Sequence, residues 1–210
     1  MDGSSWYKIG EVVGYATAGF VIACVIKLYA HFKGKKKDFK FDFNKMSATD
    51  IRLIELLSGL RVTTGADRVH LYRFHNGGDF IDGSPIKKVS CTHETVATGI
   101  SHEIAGLQNI QCSINLSIIQ MLSSGNNNIV YTDSLQDSFL KSNLVSKNVK
   151  AFVVTPIYKQ SLASSSMIIG YLKLHFCNLD NIPEENGKKV ENIDIAKECA
   201  KLVSVELLKE

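Results

Sequence analysis

One uncharged run constrains this chain more than anything else in it. Val12 to Ile26 (VVGYATAGFVIACVI) carries no charge, and continuing through Lys27 to Phe32 gives an apolar stretch with one interruption. A helix rises about 1.5 Å per residue and needs about 20 residues to cross the hydrocarbon core, so residues 12–32 are just long enough. Lys27 lies near one end, where its ammonium can reach the headgroups. Trp6, Tyr7, Tyr29 and Phe32 suit the two interfaces. A cleaved signal peptide fits poorly, because the preceding segment is as acidic as it is basic and lacks a small-residue cleavage site. Val21-Ile22-Ala23-Cys24 has the form of a lipoprotein cleavage box, but the chain beyond it stays apolar and then turns basic. A buried core helix would not stand before a lysine-rich stalk.

The charge pattern sets an orientation. Seven lysines (27, 33, 35, 36, 37, 40, 45) and two aspartates (38, 42) give this flank a local charge of +5, whereas the whole chain carries only +3. Positive flanks stay on the cytoplasmic side, so the expectation is a single-pass protein of the cell (inner) membrane with its C-terminal domain in the cytoplasm. The rest of the chain is slightly acidic, which argues against a nucleic-acid partner and for anionic lipid as the target of the stalk. Five scattered cysteines without a C-x-x-C pair suit reduced thiols. The expected organisation is an anchor at 1–32, a lysine-rich stalk at 33–46 and an α/β domain at 47–210.

Within that domain Ser47 is a helix start, Ile51, Leu53, Ile54, Leu57 and Leu60 give a broad apolar face, and Gly65 ends the helix. Residues 69–74 alternate at strand period, with turn chemistry at 76–78 and 82–85 and a return strand at about 87–93. Short helices are expected at about 113–123 and 136–145, with a short strand at 128–132 between them. AFVVTPIY (151–158) and MIIGYLKLHF (167–176) are the strongest strands, followed by a helix on which Ile193, Ala196, Ala200, Val203 and Leu207 share a face. Hairpins at both ends without regular βαβ alternation imply an α+β fold, an antiparallel sheet with helices packed on it, preceded by one transmembrane helix.

From Ser47 to Leu208 the pattern resembles a GAF domain. The leading helix running into ADRVHLYRFHNGG, the return KKVSCTHE, and the closing strands with Thr155-Pro156-Ile157 and Gly170-Tyr171-Leu172 carry the resemblance. It implies a sensory or regulatory module and a homodimer made through the terminal helices. Gly14, Ala18, Gly19 and Ala23 add small-residue spacing that lets a second membrane helix pack closely. The N-K-F-D type motif of cyclic-nucleotide-binding members is absent. Cys91-Thr92-His93 has one residue too many for the Cys-His pair that holds bilins, and beyond Cys91 and Cys112 nothing matches the methionine-sulfoxide reductases of the family.

The densest polar constellation is Arg73, His75 and Asn76 on the first hairpin strand with Cys91, His93 and Glu94 on the second. If hairpin pairing gathers them at the mouth near the 76–85 loop, they form a ligand site. Cys-x-His places both side chains on one strand face, so Cys91 with His93 can make a nucleophile pair, and His75, His93 and Glu94 can bind a metal. Packing is the competing role for each, and His70 and His175 are assigned to packing or the sheet surface. No P-loop, dinucleotide fingerprint, H-E-x-x-H or G-x-S-x-G is present. The expectation is a membrane-anchored, non-enzymatic module that binds a small ligand or a protein partner. A structural interaction domain is the alternative, and a Cys- or metal-dependent enzyme comes last. These residues name no cofactor.

Overall fold

Leu53, Leu57 and Leu60 recur at helical spacing and bury one stripe of helix α1 (Phe43–Thr64). The computed structural model describes Lys27 and residues 43–209, apart from 126, 137, 160–166, 186 and 192. The run at 12–32, Lys27 excepted, and the stalk as far as Asp42 lie outside these residues. Among the described residues no helix is long and apolar enough to cross a membrane. Helix α1 begins four residues before Ser47, because Phe43-Asn44-Lys45-Met46 contains no residue that breaks a helix. Gly65 ends it at φ +70, where any Cβ would press on the carbonyl oxygen of Asn181.

The first hairpin pairs β1 (Arg68–Asp79) with β2 (Pro85–Val96). Both strands are longer than expected. Asn76-Gly77-Gly78 stays within β1 as an irregular stretch, and the chain turns at Phe80–Ser84. There the Phe80 N–H donates to the Ser84 carbonyl and the Gly83 N–H to that of Phe80, each at 2.9 Å. The closing strands fall where the apolar runs 151–158 and 167–176 place them, as β5 (Ala151–Lys159) and β6 (Met167–Phe176). A Cβ on Gly170 would collide with the Tyr72 carbonyl, so β1 and β6 approach this closely only because the residue is glycine.

Between the hairpins run β3 (Ile110–Gln111), α2 (Leu116–Ser124), β4 (Val130–Tyr131) and α3 (Phe139–Ser146), the last capped by Ser138 Oγ accepting from the Lys141 N–H. A two-stranded ribbon of β7 (Glu184–Glu185) and β8 (Lys188–Lys189) leads into α4 (Asp194–Leu207). The main sheet has the order β3-β2-β1-β6-β5-β4 with every neighbour antiparallel.

Each strand therefore has two faces with different partners. On the outer face Val69 and Leu71 of β1, Val153 of β5 and Leu172, Leu174 and Phe176 of β6 pack against α1 and α4. On the inner face Tyr72, Cys91, Phe152, Val154 and Tyr171 meet Ile118 and Leu122 of α2 and Leu140 and Leu144 of α3. The segment from 97 to 150 is the cover over that inner face.

Candidate functional site

Strand alternation gives β1 an inner row of Arg68, His70, Tyr72 and Phe74 and gives β6 an inner row of Tyr171, Lys173 and His175. The register sets Arg68 opposite His175, His70 opposite Lys173 and Tyr72 opposite Tyr171. One end of the inner face is thus cationic and the other aromatic. Tyr72 and Tyr171 stack with centroids 4.6 Å apart, and Phe74 tilts against Tyr171 at 5.9 Å.

The cationic end is enclosed. His70 is fully buried, and Lys173 and His175 are 5% and 2% exposed. Among the described residues neither ring nitrogen of His175 nor Nδ1 of His70 has a hydrogen-bond partner, and no carboxylate pairs with Lys173. The Lys173 ammonium lies 5.4 Å from the centroid of the Phe152 ring. Burial, aided by the charge of Lys147, pushes the Lys173 amine down to about 7. Burial and Lys173 together hold His175 well below the usual imidazole range, so it is neutral.

Glu94 on β2 is the hub of this end. Its carboxylate accepts from His70 Nε2–H (2.9 Å), His102 Nδ1–H (3.1 Å), the Glu103 N–H (2.9 and 3.0 Å) and the Ile104 N–H (3.2 Å). Burial alone would raise its pKa, but the bonds from His70, Glu103 and Ile104 outweigh that and bring it to about 2. Arg68 donates to the Ser101 carbonyl (2.9 Å) and pairs with Glu103 (3.3 Å), which also pairs with Lys147. The network staples the start of the cover to the sheet.

At the aromatic end the inner face opens into a cleft of about 820 Å³ between the sheet and α2. Phe74 and Ile168 form the sheet wall, Leu116 and Ile119 form the helix wall, and Phe80, Pro85 and Ile86 of the hairpin end overhang it. The polar lining comes from His75, Asn76, Lys87, Lys88, Gln111, Cys112 and Ser113. An apolar cleft of this size with a few polar groups has the anatomy of a small-molecule site.

No protein-family model matches the chain, and no curated protein does. Solved structures do match. The GAF domain region of a Geobacter sulfurreducens protein aligns with a TM-score of 0.54 at 14% identity, covering 80% of this chain and 97% of that one. The fold is GAF-like. The blue-light absorbing form of the Thermosynechococcus elongatus PixJ GAF domain aligns at 0.50 and 17% identity over 80% of this chain and 90% of that one. A far-red cyanobacteriochrome photoreceptor aligns at 0.51 and 16%, covering 77% and 86%. At such identities the likeness establishes architecture and leaves function to the site itself.

Within this GAF-like fold the six residues singled out from sequence do not gather at one mouth. Antiparallel pairing sets His75 opposite Lys88 and Asn76 opposite Lys87, while Cys91, His93 and Glu94 pair back along β1 with Tyr72, Leu71 and His70. His75 and Asn76 line the cleft, and His75 Nε2 shares a 2.9 Å hydrogen bond with Ser90 Oγ. Arg73 stands half-buried opposite Ser90 and Gly170 and does not line it.

Cys91 and His93 do not share a face either. A bulge at Thr92 inserts one extra residue, so Cys91 opposes inward-facing Tyr72 while His93 opposes outward-facing Leu71. His93 Nε2 instead meets Asp50 Oδ1 of α1 at 3.0 Å. The Cys91 thiol is 1% exposed, and burial with the nearby Glu94 charge pushes it up to about 12. It is a protonated core thiol and no nucleophile. His75, His93 and Glu94 are likewise split between two faces and two ends, so they make no joint metal site. Among the described residues no cluster of three His, Cys, Asp or Glu side chains is placed to hold a metal.

Sequence reasoning passed over Arg68 and Lys173 and the cleft lining on α2 and β6, and it read His70 and His175 only as packing or sheet surface. Their signal was present in the alternation of Val69 and Leu71 with Arg68 and His70, and of Leu172 and Leu174 with Lys173 and His175. Polar positions opposite apolar ones suit a solvent face, and only the cover over the second face turns them inward.

Proposed function

We propose that this chain is a non-enzymatic sensory or regulatory module whose GAF-like domain binds a small ligand in the cleft between the sheet and α2. The observation that carries the reading is the cleft: about 820 Å³, apolar on both walls, with polar groups converging at its rim. His75 and Asn76 belong to that rim, whereas Glu94 and the residues around it hold the cover that forms the second wall. The protonated, buried Cys91 and its separation from His93 support a binding role over catalysis. Attachment to a membrane through residues 12–32 and the lysine stalk, with the domain on the cytoplasmic side, belongs to the same proposal and rests on the sequence pattern. So does homodimer formation, supported by exposed apolar side chains on both terminal helices, among them Ile51 and Val62 of α1 and Leu202 and Val205 of α4.

Mass spectrometry of small molecules released from the purified full chain tests the reading, with Ile119→Trp as the control that fills the cleft. A compound retained by the wild type and lost from a folded Ile119→Trp variant is the expected result. Equal retention by both proteins would place any ligand elsewhere, and a comprehensive screen without retention or thermal stabilisation would leave the structural interaction domain as the better account.

A further inference from the structure

The cleft has a charge signature that its apolar walls do not require. Its basic lining is Lys87, Lys88 and His75, and among the described residues no aspartate or glutamate lines it. Neither lysine makes an ion pair among the described residues. This differs from the lysines on α4, where Lys197 and Lys201 each pair with an acid three residues earlier. The methylenes of Lys88 lie over Gly77, which lacks the side chain that would displace them. Lys87 lines the cleft together with Cys112, and its charge opposes the upward push of burial on that thiol. The acids of the hairpin turn are directed elsewhere. Asp82 accepts from the N–H and the hydroxyl of its neighbour Ser84, and Asp79 pairs with Pro85 across the ladder without lining the cleft.

We infer that the cleft takes an amphipathic anion, its apolar body between the sheet and α2 and its carboxylate or phosphate head at Lys87 and Lys88. The inference rests on the cleft being the ligand site and adds the chemical class of what enters it. Phe74, Ile119 and Ile168 offer nothing to a polar body, and two unpaired ammonium groups at one rim offer nothing to a neutral head. An ionised head would gain charge-assisted hydrogen bonds from flexible lysine donors that give up no existing partner. Gln111 and Asn76 sit at the same rim as further polar contacts.

Displacement of a fluorescent apolar anion, 8-anilinonaphthalene-1-sulfonate, from the full chain in zwitterionic nanodiscs tests this, with empty nanodiscs subtracted. The competitors are decanoate, decyl phosphate and decanol, which share a chain and differ in the head. Decanoate or decyl phosphate should displace the probe at about one tenth of the decanol concentration or less, the ratio one charge-assisted hydrogen bond provides. Whichever of the two acts at the lower concentration identifies the head. Lys87→Gln/Lys88→Gln should weaken the anionic probe itself and remove that ratio, decanoate and decyl phosphate then acting at the decanol concentration. Ile119→Trp, or Leu116→Trp at a more exposed position should the first fail to fold, should abolish all three. Equal displacement by decanol, or an unchanged ratio in the lysine variant, overturns the anion class and leaves the cleft reading standing. Displacement that ignores both tryptophan variants overturns the two together.

Discussion

Glu94→Gln is the sharpest single perturbation of this domain, because one buried carboxylate (side chain 1% exposed) accepts from four donors on two segments, His70 of β1 and residues 102–104. Glutamine keeps the size but puts an amide nitrogen where an oxygen stood. At least one of the His70, Glu103 and Ile104 N–H groups then faces another donor. Hydrogen bonds to a buried charge contribute about 1.5–3 kcal/mol each and an orphaned buried donor costs about 1–3 kcal/mol, so the sum is about 3–5 kcal/mol. His102 is mostly exposed and adds little. The depressed pKa expresses the same bonds: a fall from 4.5 to about 2 corresponds to about 3 kcal/mol at about 1.4 kcal/mol per unit. A depressed carboxyl contributes fully above its unfolded pKa and loses the contribution as pH falls towards the folded one. The stability difference between wild type and variant should therefore hold steady above pH 4.5 and shrink towards zero near pH 2. Urea unfolding followed by far-UV circular dichroism reads it, since the one tryptophan, Trp6, precedes the domain. A cost below about 1 kcal/mol at pH 7, or a difference that ignores pH between 4.5 and 2, refutes the assignment of Glu94 as the hub.

Lys173→Met should stabilise the domain at pH 7 by about 2 kcal/mol, because it removes a buried amine without a carboxylate partner. The amine's depressed pKa means its penalty is absent above 10.5 and grows as pH falls to about 7, so the gain should be smaller at pH 10, which paired urea titrations would show. Gly170→Ala should cost about 1–3 kcal/mol through the collision with the Tyr72 carbonyl, and an unchanged thermal melt would contradict that contact. In peptide-mapped alkylation of the native chain Cys112, half-exposed in the cleft, should react well before Cys91; the reverse order would mean that the inner face opens freely.

What the sequence made legible was whatever depended on local period. The leucines of α1 and the shared face of Ala196, Ala200, Val203 and Leu207 each name one helix and its buried side, and the apolar runs AFVVTPIY and MIIGYLKLHF name the two strands at the centre of the sheet; each element is realised. The site was less legible because it depends on register, which local pattern does not contain. One residue at Thr92 reverses His93 relative to Cys91, and no composition signal marks that bulge. The same limit hid the inner row. Lys173 and His175 alternate with leucines as solvent-facing residues do, and it takes the cover from 97 to 150 to bury them. His75 and Asn76 stood out because turn chemistry marks the hairpin end, whereas Ile119 and Ile168 sit inside a short helix and a strand where no polar signal singles them out.

The cationic and apolar ends of the inner face are joined through the cover. Between Val96 and Ala151 the described residues form little regular structure: two strands of two residues each, α-helices of nine and eight, and three single 3-10 turns. Packing alone positions such a segment loosely, and the polar bonds fix it at named points. Arg68 holds Ser101, Glu94 holds residues 102–104, Gln108 Nε2 donates to the Cys91 carbonyl at 2.7 Å, and the Asn109 N–H donates to Ser90 Oγ at 2.8 Å. The next residues are β3, whose Gln111 lines the cleft, followed by Cys112 and then α2, which is the cleft's second wall. Loosening the first staple should therefore reach the cleft even though Glu94 does not line it. Glu94→Gln should weaken binding of 8-anilinonaphthalene-1-sulfonate under conditions where the domain stays folded. Lys173→Met, which holds no part of the cover, should leave that binding within about twofold of wild type, less than the loss of one hydrogen bond would cause. If Lys173→Met weakens the probe as much as Glu94→Gln does, the two ends communicate by charge, and the staple account is wrong.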